Sequence, residues 1–129
     1  ICSVLDDGEL SAYHQLAAEL GLSALVEAHT AEEIERAQRA GAVIIGVNNR
    51  NLKDFTVDIG RSVELRRLVD KDTVFVSESG IRGPEDMRAL YENGTDAVLI
   101  GEMLMRAKDR SEALRSLREA VAEGGSVPW

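Results

Sequence analysis

The chain has 129 residues, 44% of them hydrophobic and 29% charged, the composition of an ordinary globular protein. A net charge of −8 speaks against nucleic acid and against an anionic membrane surface as partners. One cysteine, Cys2, excludes an intrachain disulfide, and with only two histidines a structural zinc site is not expected.

Ile1 to Leu5 is a short apolar run with no turn before it. Asp6 and Asp7 are cap candidates for a helix over 9–20, in which Leu10, Tyr13, Leu16, Ala17 and Leu20 recur at helical spacing before Gly21 stops it. Ser23 to Glu27 reads as a strand. Thr30 is placed to cap the next helix, with Glu33 completing a capping box, and Ala40-Gly41 ends it. Ala42 to Val47 is a second strand, followed by NNRNLKDFT (48–56), a long polar loop and the least regular part of the chain. A helix from Asp58 to about Val69 would bury Val63, Leu65, Leu68 and Val69, and Lys71-Asp72 turns into the third strand.

That strand, Thr73 to Val76, is a β-branched and aromatic run that ends in Ser77-Glu78-Ser79-Gly80. Pro84 suits the first turn of a following helix, with Glu85 and Asp86 at its positive dipole end and Asn93-Gly94 closing it. Asp96 to Ile100 is a fourth strand that runs straight into Gly101. Asp109 or Ser111 caps a last helix, with Leu114, Leu117 and Val121 on one stripe and Gly124-Gly125-Ser126 at its end. Strand and helix alternate every 25 to 30 residues or so, the period of parallel βα units, with no linker between them. No apolar run approaches the roughly 20 residues of a membrane span and no signal peptide is visible, so the cytoplasm is the default location.

Strand parity places the polar groups. Side chains two apart share a face, so Glu27 stands with Leu25 and Ser23, Asn48 with Gly46 and Ile44, and Glu78 with Val76 and Val74. Each strand thus ends in a polar residue above a mostly apolar face. Two glycine elbows, Gly80 and Gly101, would lie on the same rim, where exposed backbone N–H groups can cradle phosphate. From spacing alone, Glu27 reads sooner as a strand-end glutamate paired with Arg50 or a helix N-terminus than as a catalytic group, and Asn48 could equally satisfy its own loop.

SESGI (77–81), followed some twenty residues on by DAVLIGE (96–102) and LMR (104–106), together with VEAHT (26–30) and IIGVNNRNL (44–52), resembles the last four strand ends of indole-3-glycerol-phosphate synthase. This family folds as a (β/α)8 barrel and serves tryptophan biosynthesis. The resemblance implies parallel (βα) repeats forming half of that barrel, strands five to eight, with Ile1–Leu5 the tail of the fourth. Such a barrel takes about 250 residues. The expectation is therefore a fragment or truncated half-barrel: a single unit over 1–129, a partial strand plus four βα units, with 124–129 a loose tail.

The family's reaction closes the indole ring of a carboxyphenylamino-deoxyribulose phosphate with loss of carbon dioxide and water, using no metal or organic cofactor. By resemblance Glu27 is the acid/base glutamate, Asn48 orients the substrate, and Glu78 contacts substrate and the catalytic lysine. Arg50 and Ser79 bind substrate, Ser79 beside its aromatic ring; Gly80, Gly101 and Glu102 hold its phosphate. Glu102 stands where some family members have serine, so its carboxylate either turns away or repels phosphate. The family's lysines come from its first and third strands, so the chain alone is expected to be inactive. Its partner would be the missing N-terminal half-barrel or a second copy of itself. Alternatives are another phosphate-binding barrel enzyme, or a non-catalytic self-assembling half-barrel. His29 reads as structural, with no acid triad legible around it.

Overall fold

A computed structural model describes residues 1–51 and 53–122; the expected helix end at 124–126 and the tail lie outside them. Four parallel strands, β1 (Val26–Ala28), β2 (Ile44–Asn48), β3 (Val74–Glu78) and β4 (Ala97–Leu99), form one sheet in the order β1-β2-β3-β4. The helices are α1 (Asp7–Glu19), α2 (Ala31–Arg39), α3 (Gly60–Leu65), α4 (Pro84–Glu92), α5 (Glu102–Arg106) and α6 (Arg110–Ala122). This is half of a (β/α)8 barrel: sequential strands are neighbours, and helices intervene between them.

The sheet has two unlike faces. Val26, Ala28, Ile45, Val47 and Phe75 point to the helices and are fully or nearly fully buried against Leu10, Ile34, Ala37, Leu65 and Val69. A second apolar cluster, Ile81, Leu90 and Leu117 with Val98, Ile100 and Met103, holds α4 and α6 to the end of the sheet. The other face is the barrel's inner wall, and there Leu25 (43% exposed), Val74 (42%) and Leu99 (54%) stand open. Val76, on the same face, is only 8% exposed, and Ile44 is half-buried.

Ile1–Leu5 is not a strand. Cys2–Val4 form a turn of 3-10 helix, with Cys2 buried. Arg36 donates to the carbonyls of Cys2 (3.0 Å) and Leu5 (2.6 Å), acceptors that a strand ladder would need. The sheet edge on this side is β1. In α1 the apolar stripe is real but only Leu10 is buried; Tyr13, Leu16 and Leu20 are exposed, on a face that no described element covers. The expected helix over 58–69 is shorter and broken: α3 starts after an Asx turn, in which Gly60 N–H donates to Asp58 (2.9 Å), and Arg66–Leu68 tighten into 3-10 geometry that leaves Leu68 exposed. In α6, capped by Asp109 through Glu112 N–H (2.9 Å), Leu117 and Val121 are buried but Leu114 is not.

Behind the inner wall, one buried asparagine fixes the loops. Asn49 donates through Nδ2 to Ser77 Oγ (3.0 Å) and to the Ser79 carbonyl (3.0 Å), and its Oδ1 accepts from Ser62 N–H (3.1 Å) and Ser62 Oγ (2.8 Å). Ser77 and Ser62 close the ring at 2.8 Å. All three residues are within 1% of complete burial. Baring any one of these groups costs about 1–3 kcal/mol, so β2, β3 and the start of α3 are held as a unit. The same bonds hold Ser79 and Gly80 in their left-handed turn, at φ 66° and 79°.

Candidate functional site

The polar ends of β1, β2 and β3 share one face of the sheet. Parallel pairing puts Glu27 beside Gly46, with Val76 next in the row, and Asn48 beside Glu78, with Leu99 next. Glu27, Asn48 and Glu78 therefore converge at the C-terminal end of the inner wall. Asn48 Nδ2 donates to Glu27 Oε1 at 3.1 Å, while Asn48 Oδ1 accepts from Arg50 N–H at 3.0 Å. The asparagine thus serves its own loop and Glu27 at once. The expected bland pairing of Glu27 with Arg50 does not occur: Arg50 reaches across to Glu102.

Glu78 is 4% exposed, and its Oε1 is buried without a hydrogen-bond partner. Its carboxyl lies over Gly46, where any Cβ would collide with Oε1. A glycine inside a strand of branched residues marks a close approach, and here it is the seat of a carboxyl group. Burial, and after it the neighbouring Glu27 carboxylate, push Glu78 up to about 7 from an ordinary 4.5.

A carboxyl whose folded pKa is raised contributes its full stability below the unfolded value of 4.5 and loses it as pH rises through about 7. The span corresponds to about 3 kcal/mol. Asp7, Asp54, Asp86 and Glu102 are lowered and act in the opposite direction on acidification. Glu78→Gln isolates the effect: its stability relative to the unmodified chain, from urea denaturation, is expected to rise by about 3 kcal/mol between pH 4 and pH 8. A difference that stays flat with pH would contradict a buried carboxyl of raised pKa.

Beside the carboxylates opens a cavity of about 760 Å³, bounded by Arg50, Ser79, Gly80, Gly101 and Glu102 together with Arg82, Arg106 and apolar residues such as Ile81 and Met103. All five expected binding residues meet here, and the three expected catalytic residues stand next to it on the wall. At Gly80 both the positive φ and the Val57 side chain forbid a Cβ; at Gly101 nothing stands within 4 Å of that position. Glu102 neither turns away nor stands as a bare charge. Its carboxylate accepts from Arg50 Nη2 (2.8 Å) and pairs with Arg106 Nη2 (3.1 Å), which hold it below the usual glutamate range. The trio carries net positive charge at the cavity mouth.

Four residues in and around the site escaped the sequence reading. Gly46 and Asn49 act from within strands or buried loops, and Arg106 comes from the far end of α5. His29 is the fourth, and it is not isolated: Nε2 lies 3.3 Å from Glu27 Oε1 and Nδ1 3.5 Å from Glu33 Oε2. Glu33 makes only half of the expected capping box. Its N–H donates to Thr30 (3.2 Å), but its carboxylate accepts from His29 N–H (2.6 Å) rather than from Thr30.

The family model for indole-3-glycerol phosphate synthase matches residues 1–117. Among curated relatives, the indole-3-glycerol phosphate synthase of Leuconostoc mesenteroides is 52% identical over 118 residues, which is 92% of this chain and 45% of the relative. That of Ruminiclostridium cellulolyticum is 54% identical with the same coverage, and that of Legionella pneumophila 46%, over 91% of this chain. The chain spans about half the length of the curated relatives it matches. Among solved structures, 3-hexulose-6-phosphate synthase from Salmonella typhimurium aligns at TM-score 0.78 and 17% identity, over 95% of this chain and 60% of that one. Thiamine phosphate pyrophosphorylase from Pyrococcus furiosus aligns at 0.71 and 22%, over 88% and 55%. At those identities the likeness speaks for the fold alone, but the sequence matches speak for descent: this chain belongs to the indole-3-glycerol phosphate synthase family.

Proposed function

We propose that the chain supplies the C-terminal half of the active centre of an indole-3-glycerol phosphate synthase and is catalytically incomplete alone. The substrate is 1-(2-carboxyphenylamino)-1-deoxyribulose 5-phosphate, whose ring closes with loss of carbon dioxide and water. Glu27 moves the proton. Asn48, already bonded to Glu27, orients both the carboxylate and a substrate oxygen. Glu78, poised near neutrality, takes or gives a hydrogen bond as the lysine of the other half approaches. Ser79 borders the aromatic ring, and Arg50 with the backbone at Gly80, Gly101 and Glu102 takes the phosphate. The reaction calls for no cofactor, and the cytoplasm is the compartment that goes with it.

The observation that carries this reading is the convergence of Glu27, Asn48 and Glu78 on one rim, directly beside a cavity bounded by two glycine elbows and three arginines. Barrel enzymes keep their chemistry at that rim, with phosphate at the last two strands. A chemical-shift titration with inorganic phosphate tests the phosphate half. The amides of Gly80, Ile81, Gly101 and Glu102 are expected to move, and Gly80→Val, which meets both a positive φ and Val57, is expected to abolish the response. Movement elsewhere with these four unmoved would overturn the assignment.

The second reading, a half-barrel that pairs with a complementary half or with another copy of itself, is favoured by the open inner wall. It is compatible with the first.

A further inference from the structure

We propose that His29 is a positioning residue for Glu27: anchored from behind by Glu33, it presents Nε2–H to the Glu27 carboxylate and fixes where that group stands on the rim. The inference rests on the role given above to Glu27. Its grounds are geometric. Residue 29 follows β1 and continues the parity of 25 and 27, so its ring stands on the same side as Glu27. His29, Glu27 and Glu33 keep only 12%, 18% and 14% of their side-chain surface. Nε2 is wholly buried with no well-formed hydrogen bond, and Glu27 Oε1 lies 3.3 Å from it.

Glu33 gives the ring its orientation. Its carboxylate is pinned by His29 N–H at 2.6 Å and faces Nδ1 of the same residue at 3.5 Å. Carboxylates accept and do not donate unless protonated, so the ring nitrogen closer to a carboxylate, Nε2 at 3.3 Å from Glu27 Oε1, is the one assigned the donor. The Glu33 carboxylate, itself held by the His29 backbone N–H, stands beside the ring and limits its angle. Glu27 then receives two donors, Asn48 Nδ2 from the β2 side and His29 Nε2 from its own strand end. The pair also explains why Glu33 leaves its capping box half made: its carboxylate is engaged one residue earlier than capping requires.

Long-range proton–nitrogen correlation on the isolated chain tests this directly, with no dependence on turnover or on phosphate binding. At neutral pH the His29 ring is expected to carry a proton on Nε2. A ring protonated only on Nδ1 would overturn the proposal, because a bare Nε2 cannot donate to Glu27. Variants give a second readout, the side-chain couplings and carboxyl carbon shift of Glu27. His29→Leu is expected to turn one Glu27 conformer into a rotamer average, while amides away from 26–34 stay in place. His29→Gln, whose amide can reach toward Glu27, is expected to restore the single conformer. His29→Asn, shorter and closer to Glu33, is expected not to. Equal behaviour of Gln, Asn and Leu would mean that the ring only fills space. Failure of the phosphate titration would leave these readouts untouched, so the two proposals fail separately.

Discussion

A purified chain on its own is expected to form no indole-3-glycerol phosphate above background. General acid catalysis by a positioned group is typically worth about 100- to 10,000-fold, and on the reading proposed above the acid comes from the half that this chain does not include. Half of the wall that would orient the substrate is also absent from the four-stranded sheet. Orientation is itself a large part of enzymatic rate enhancement, so the two deficits compound. Supplying the N-terminal half of a relative in trans is expected to restore turnover. In that reconstituted barrel Glu27→Gln is expected to lose about 100- to 10,000-fold while phosphate perturbation of Gly80 and Gly101 persists. Turnover by the chain alone, free of host enzyme, would refute the incomplete-centre reading.

The chain is also expected to associate. Leu25, Val74 and Leu99 are open on the inner wall, and Tyr13, Leu16 and Leu20 on α1. At about 25 cal/mol per Å², a few hundred Å² of such surface amounts to on the order of 10 kcal/mol of drive. The edges at β1 and β4 add backbone groups that favour strand addition. A two-fold pairing of half-barrels is the simplest closed form. Leu99→Asp is the clean probe: at 54% exposure its charge remains solvated in the monomer, whereas Val76→Asp would bury a charge and unfold the chain for its own reasons. Leu99→Asp is expected to shift sedimentation equilibrium toward monomer with unchanged circular dichroism. An unmodified chain that stays monomeric at high micromolar concentration would rule the pairing out.

How much of this was legible beforehand depends on the range of the interaction. Period-two spacing put Glu27, Asn48 and Glu78 on one face, and that survived even though every strand boundary moved by one to three residues, because parity does not depend on ends. Glycine elbows and helix caps are local, and they too were readable. What failed was set by neighbours far along the chain. Ile1–Leu5 looks like a strand until Arg36 takes its carbonyls. The α1 stripe is apolar, but which face is covered depends on a layer that lies elsewhere. Asn48 and Asn49 are indistinguishable as letters; only the direction of β2 sends one to the wall and the other into the ring with Ser62 and Ser77. His29 looked solitary because Glu33 is presented by the first turn of a helix rather than by a strand end.

The division of the apolar core into two clusters has a consequence for the cavity. Arg50 and Val57 hang from the β2 side, which is built on the first cluster, while Ile100 and Met103 around Gly101 belong to the second. The cavity is therefore a seam between two packing units, spanned at its mouth by the ion pair of Arg50 with Glu102. An anion seated there touches both sides, and since ligand affinity for the folded state returns as stability, its binding energy acts as cohesion across the seam. In that sense the phosphate of a substrate is also a rivet for the half-barrel that receives it.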